Sequence, residues 1–163
     1  MIEKIISGGQ IGADQAGLRV ARAKDIATGG WAPKDFMTLA GPDPELETIY
    51  GLEALEESGY TFRTHANVNH SDATVRFAHN FNSPGERCTY RAIRRHNKPW
   101  FDVTIAMNED YAQMLPDPYT FAAWLVGHEV KVLNVAGNAS RDIEEYVCQY
   151  LSITLEALDD TAD

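Results

Sequence analysis

The sequence predicts an α/β fold, a mainly parallel central sheet flanked by helices, on three observations. Short β-branched runs alternate with longer stretches of helical periodicity, the pattern of strands joined by crossover helices. Glycines follow several of those runs at once: Gly8, Gly9 and Gly12, then Gly29 and Gly30, then Gly85, then Gly137. The chain has 163 residues, 44% hydrophobic and 23% charged, which suits one globular core, so a single domain over 1–163 is expected.

Ile2 to Ser7 reads as the first strand. From Ile11 to Lys24, the residues Ala13, Ala16, Gly17, Val20 and Ala21 place small and apolar side chains on one helix face, and Gly17 permits close approach to the sheet. A short strand over Ile26 to Thr28 ends at Gly29 and Gly30. Pro33 to Tyr60, holding Pro42, Pro44 and Gly51, reads as a long irregular connection. Thr61 to His70 contains a helix, Ala73 to Ala78 is a strand, and a helix runs from Pro84 or Glu86 to Asn97, after which Pro99 restarts the chain as extended structure. Trp100 to Ala106 is a strand, followed by a loop through Pro116 and Pro118 and a helix near Tyr119 to His128. Val130 to Val135 is the last strand, Ala136 and Gly137 turn it, and Ser140 to Leu158 is a helix with Ser140 as its N-cap.

The net charge of −10 argues against partners that present long runs of phosphate, so neither nucleic acid nor a membrane surface is expected. The longest apolar run, Phe121 to Val126, is far short of a span, and no basic-then-apolar leader opens the chain, so a soluble, cytoplasmic protein is expected. Cys88 and Cys148 belong to no CxxC pair and fit a reduced compartment. The histidines His65, His70, His79, His96 and His128 lack ligand spacing, so no metal site is expected.

In a parallel sheet the strands' carboxyl ends share one edge, so the four glycine-bearing loops are expected to meet at one crevice. There, missing Cβ atoms and exposed N–H groups at helix N-termini can hold a phosphate without a cationic side chain, and the alternative is that the glycines only make tight turns. The first loop has neither the P-loop lysine nor GxGxxG, which weakens the ATPase and dinucleotide readings.

Ile5-Ile6-Ser7-Gly8-Gly9-Gln10-Ile11-Gly12-Ala13-Asp14 and Thr28-Gly29-Gly30-Trp31-Ala32-Pro33-Lys34 resemble the family named "putative molybdenum (cofactor) carrier". That family lies within the Rossmann-like group of lysine-decarboxylase-like, or Lonely Guy-related, nucleotide binders. The resemblance continues through Arg63-Thr64, Asn67-Val68, Ser71-Asp72-Ala73-Thr74, Ser83-Pro84-Gly85, Lys98-Pro99 and Val132 to Asn138. It implies a single Rossmann-like domain and a bound nucleotide or molybdenum cofactor. Ile11 and Gln15 stand where the family usually has Thr and Arg, and His65 where relatives often have Glu. Ala92 stands where Lonely Guy enzymes carry the glutamate that assists glycosidic cleavage, which puts that mechanism in doubt.

The expected ligand-binding set is Ser7, Gly8, Gly9, Gln10, Asp14, Gly29, Gly30, Trp31, Ser83, Pro84, Gly85, Arg87, Thr89, Gly137 and Asn138. Arg87 sits in a first helical turn, where a cation is unfavourable unless an anion is held beside it, while Arg91, Arg94 and Arg95 read as surface. Trp31 either stacks on a base or edges the core, and Asp14 either bonds a sugar hydroxyl or coordinates a cation near the phosphate, or else braces the first helix. Glu86 and Asp14 are the weak catalytic candidates; for Glu86 the simpler reading is an acid in a helix's first turn complementing the helix dipole. The expectation is a homo-oligomeric binder of a small phosphorylated ligand, acting as carrier, sensor or sponge. The alternative is an N-glycosidic bond hydrolase.

Overall fold

The computed structural model describes residues 1–56, 59–107 and 112–160. Its first half runs β1 (Lys4–Ile6), α1 (Ala13–Ala23), β2 (Ala27–Gly29), β3 (Trp31–Ala32), β4 (Met37–Thr38), β5 (Gly41–Pro42), α2 (Glu45–Thr48), β6 (Glu53–Ala54) and α3 (Tyr60–Asn69). The second half runs β7 (Ala73–Ala78), α4 (Pro84–His96), β8 (Trp100–Met107), β9 (Ala112–Leu115), α5 (Pro118–Gly127), β10 (Val132–Gly137) and α6 (Glu144–Asp160).

The main sheet has the order β2-β1-β10-β7-β8-β9, parallel except for β9. This is a Rossmann-like arrangement with helices on both faces. Strand alternation divides the two layers. Ile5, Val75, Phe77, Val103, Leu133 and Val135 join α1, α5 and α6 in the large core. The opposite face carries Thr74, Arg76, Asp102 and Asn134, with α3 and α4 contributing Val68, Ala92 and Ile93 to a smaller cluster. A Cβ on Gly17 would fall 2.8 Å from Val135, so that glycine does allow α1 to lie close on the sheet.

Several expectations shift. The segment read as one irregular connection, apart from 57–58, which lie outside the described residues, holds short pieces. β3 pairs with β6, β4 with β5, and Leu46 and Leu52 pack with Leu18 and Ala32 into a satellite core. Strands of two residues leave no periodicity to read, so this structure was invisible as pattern. Strand β9 was not expected, and the loop placed after Ala106 falls partly on 108–111, outside the described residues. Pro118 begins α5 instead of ending a loop, because Asp117 caps it by accepting from the Tyr119 and Thr120 amides. Gly137 closes β10 instead of following it. Ser140 does not cap α6 through its side chain: its hydroxyl is given to Asp142, a 3₁₀ turn fills Arg141–Ile143, and α6 starts at Glu144. Cys88 and Cys148 are both free thiols, and no described helix is long and apolar enough to cross a membrane.

Candidate functional site

From β1 the chain steps outward to β2 and from β7 it steps the other way to β8, with β10 between them. α1 and α4 therefore leave from opposite faces, and the gap over the strands' carboxyl ends is the usual ligand position in such sheets. A cavity of about 590 Å³ opens there, within the range of small-molecule sites. Gln10 and Asp14 line it from the first turn, Tyr60, Arg63 and Thr64 from α3, Ser83 to Glu86 with Cys88 and Thr89 from α4, and Gly137 to Ser140 from the end of β10.

The turn between β1 and α1 is folded on itself. Asp14, buried, accepts from the Gln10 amide at 3.2 Å and from Arg63 Nη1 at 3.1 Å, and the Gly8 amide points to it as well. Burial holds the Asp14 carboxyl above its usual range, against the opposing pull of Arg63 and those amides. The Gly9 amide donates to Ser7 Oγ at 3.2 Å, and the Ile11 amide to Gln10 Oε1 at 3.1 Å. The Gly12 amide donates to Glu144 Oε1 at 2.9 Å, and the Ala13 amide to the Asn138 carbonyl at 3.2 Å. Gln15, where the family usually has Arg, ties this turn to the satellite core by donating to the Gly9 carbonyl and to Asp43.

The head of α4 differs. Ser83 caps it by accepting from the Glu86 amide at 3.2 Å. Glu86 is the acid of the first turn of α4, and beyond what its position shows it is 3% exposed and lines the cavity. Its Oε2 makes no hydrogen bond. The nearest cation, Arg76 Nη1, stands 3.9 Å away and is otherwise engaged. Arg76 donates bidentately to Asp102 at 2.7 and 2.6 Å and to the Glu86 carbonyl at 3.1 Å, and lies over Phe81. Burial lifts the Glu86 pKa to about 7; Arg76 opposes this, and Asp14 and Asp102 add to it.

Among the described residues, two buried side-chain polar atoms have no hydrogen-bond partner: Glu86 Oε2 and Arg63 Nε. Both residues line this cavity. Buried polar groups are rarely left unmet, because each costs roughly 1–3 kcal/mol. The two residues belong to the wall, while the two atoms themselves carry almost no accessible surface.

The structure thus brings three of the four glycine loops to the cavity: Gln10 and Asp14, Ser83, Pro84, Gly85 and Thr89, and Gly137 and Asn138 all line it. Ser7, Gly8 and Gly9 lie behind that wall, where a Cβ on Gly8 would strike the Arg63 guanidinium and one on Gly9 would strike Leu46. Gly29, Gly30 and Trp31 are absent from the wall, which corrects the expected four-way convergence. Their strand, β2, is the sheet edge, one strand beyond the gap, and Asn67 clamps the Trp31 backbone with bonds of 3.0 and 2.9 Å. A Cβ on Gly30 would fall 2.2 Å from the Ser7 carbonyl, so this glycine serves backbone packing, and Trp31 rests on His70.

Arg87 is exposed and outside the lining, contrary to the expectation that it reaches the ligand. Sequence reasoning missed Arg63, although Arg63-Thr64 was among the matched motifs, and missed Arg76, a lone charge inside a fully buried strand. His65 and His96 face one another at 3.2 Å on the α3–α4 seam, outside the cavity wall. Asp72 fixes a turn by accepting from the Lys131 and Val132 amides. Among the described residues no group of three or more His, Cys, Asp or Glu side chains is arranged to hold a metal ion.

A model of the circularly permutated YpsA SLOG family matches residues 5–155. The crystal structure of a protein from Syntrophus aciditrophicus SB, described as a putative molybdenum carrier protein, matches with a TM-score of 0.79 and 32% identity, covering 94% of this chain and 95% of that one. No curated protein matches.

Proposed function

The chain belongs to the circularly permutated YpsA SLOG family, and from that premise we propose that it is a small-ligand binding protein whose cavity takes a nucleotide or nucleotide-like phosphorylated molecule. The observation that carries this reading is the cavity of about 590 Å³ at the switch point of the sheet, lined by Arg63, Glu86 and the strand-end loops. The wall thus presents carboxyl acceptors and a guanidinium donor, which suits a ligand with both kinds of group. Gln10, Asp14, Ser83 to Gly85, Thr89 and Asn138 complete the proposed wall. The relative's description as a molybdenum carrier supports a small-ligand role. Molybdenum cofactor, a phosphorylated pterin, falls within the proposed class as cargo, beside the sensor and sponge roles. Action in the cytoplasm as a homo-oligomer belongs to the same reading, and light scattering reports the second part.

Mass spectrometry of whatever copurifies with the protein, followed by a thermal-shift panel of nucleotides and pterins, tests the proposal. A ligand at one hundred times its dissociation constant adds about 2.7 kcal/mol of stability, and a panel without effect counts against it.

The near-neutral Glu86 favours a second reading, hydrolysis of an N-glycosidic bond. A carboxyl with a pKa of about 7 can protonate a departing base, and Asp14 is the other carboxylate at the cavity. Free base released from a nucleoside monophosphate establishes that activity; ligands recovered intact leave binding alone.

A further inference from the structure

Three of the five histidines give Nδ1–H to a main-chain carbonyl: His70 to Ala66 at 2.8 Å, His79 to Ile105 at 3.0 Å and His128 to Trp124 at 2.8 Å. The other two meet each other. His65 Nδ1 faces His96 Nε2 at 3.2 Å across the seam between α3 and α4, with the rings edge to face. Both side chains are half-buried, so the pair is within reach of solvent. The two residues lie 31 positions apart on different helices, which is why no ligand spacing in the sequence announces them.

Imidazole is a ligand that suits Zn²⁺, Ni²⁺ and Cu²⁺ alike. Two nitrogens each about 2.0–2.1 Å from one ion stand about 3.3–3.4 Å apart at a tetrahedral angle and about 2.8–3.0 Å apart at a right angle. The observed 3.2 Å falls between these values, so the two rings already stand at a chelating separation. Burial, with His96 and Arg95 adding to it, holds His65 below the usual histidine range, so its ring is neutral and its lone pair free to bind a metal. Arg95 is the charge that opposes a cation here, and its side chain is exposed and screened by water. Among the described residues no third His, Cys, Asp or Glu joins the pair. Water therefore fills the remaining positions, as in open sites and unlike closed structural ones.

We propose that His65 Nδ1 and His96 Nε2 bind one divalent transition-metal ion, Cu²⁺, Ni²⁺ or Zn²⁺, which clasps α3 to α4. The site is separate from the cavity, since neither ring belongs to the wall, although Arg63 and Thr64 one turn back and next along α3 do. The ion stabilises the folded chain, because the unfolded chain does not hold the two rings together. Cu²⁺ binds most tightly, as the order of affinities for nitrogen ligands requires.

Calorimetric titration of the untagged full chain, stripped of metal with a chelator and dialysed, with the chlorides of Cu²⁺, Ni²⁺ and Zn²⁺ tests this. The expected result is a single strong site per chain, with a dissociation constant of about 10 μM or below for Cu²⁺. The bound Cu²⁺ shows nitrogen coupling in its electron paramagnetic resonance spectrum and raises the melting temperature. His65→Gln and His96→Gln keep a polar side chain at the seam and remove one ligand each; each weakens Cu²⁺ binding by roughly tenfold or more. His70→Gln and His128→Gln, outside the pair, change it by less than about twofold. Millimolar binding of all three ions, wild-type affinity in His65→Gln, or equal losses in the His70 and His128 variants overturns the inference. None of these outcomes touches the cavity reading, because none of the four histidines lines that wall.

Discussion

The turn after β1 and the turn that opens α4 both follow a parallel strand, both begin with serine and both contain glycine, yet they do opposite things. In the first, the space left by each missing Cβ is taken by the protein itself. Ideal Cβ atoms would stand 1.7 Å from Arg63 Nη1 at Gly8, 2.7 Å from Leu46 at Gly9 and 2.2 Å from the Asn138 carbonyl at Gly12. In the second, the space at Gly85 is empty. A glycine in a sequence reports that a Cβ is not tolerated or not needed, and only the neighbours say which. Glycine density after a strand is therefore a guide to where backbones come close, and a poor guide to where a ligand does.

The largest effect that separates the two turns comes from adding one methyl group to each. Gly12 has φ +90, a region that side-chain-bearing residues avoid, and its added Cβ would collide with backbone. Gly12→Ala is expected to lose roughly 4 kcal/mol of unfolding free energy, from strain and overpacking together. Gly85→Ala, in the first turn of a helix and facing open space, is expected to gain up to about 1 kcal/mol. Urea denaturation of the pair measures both, and similar losses at the two positions would erase the distinction between a closed turn and an open one.

Most of the sheet was legible because its parallel strands are short β-branched runs set between helices, and the strand–helix sequence from β7 through α4 to β8 is punctuated by Pro84 and Pro99. The satellite pieces between Trp31 and Ala54 were not legible, since they are held by Leu18, Leu46 and Leu52 meeting across the chain and not by local period. The site was half visible. Its strand-end loops could be placed from topology, but the difference between Glu86 and an ordinary first-turn acid lies in burial against Arg76 and Asp14, contacts that arise only after β7 and α1 are side by side. Arg87 shows the same limit: its charge is visible in sequence, and its place outside the cavity wall is not.

Glu86 offers a second, smaller way to sharpen the comparison. Its pKa is raised from 4.5 to about 7, chiefly by burial, with Arg76 opposing and Asp14 and Asp102 reinforcing. Between those two values the native chain retains a proton that the unfolded chain has released, so stability falls as pH rises through that window and levels off above it. Glu86→Gln keeps the shape and removes the ionisation. It is expected to be more stable than wild type by on the order of 3 kcal/mol at about pH 8, and by little at about pH 4, below the ordinary carboxyl range. An equal difference at both pH values would mean that the carboxyl is not held neutral and that the open turn is less desolvated than its burial implies.

The smallest expected effects concern the arginines on the outer side of the open turn. Arg87 and Arg94 are both exposed, and neither belongs to the cavity wall. Each then acts on an anionic ligand only through screened charge, so Arg87→Ala and Arg94→Ala are expected to weaken ligand binding by less than about twofold, equally, and less still at high salt. Titration at two ionic strengths reads this directly. A tenfold loss confined to Arg87→Ala would place the ligand's anionic group on the solvent side of α4 instead of in the cavity.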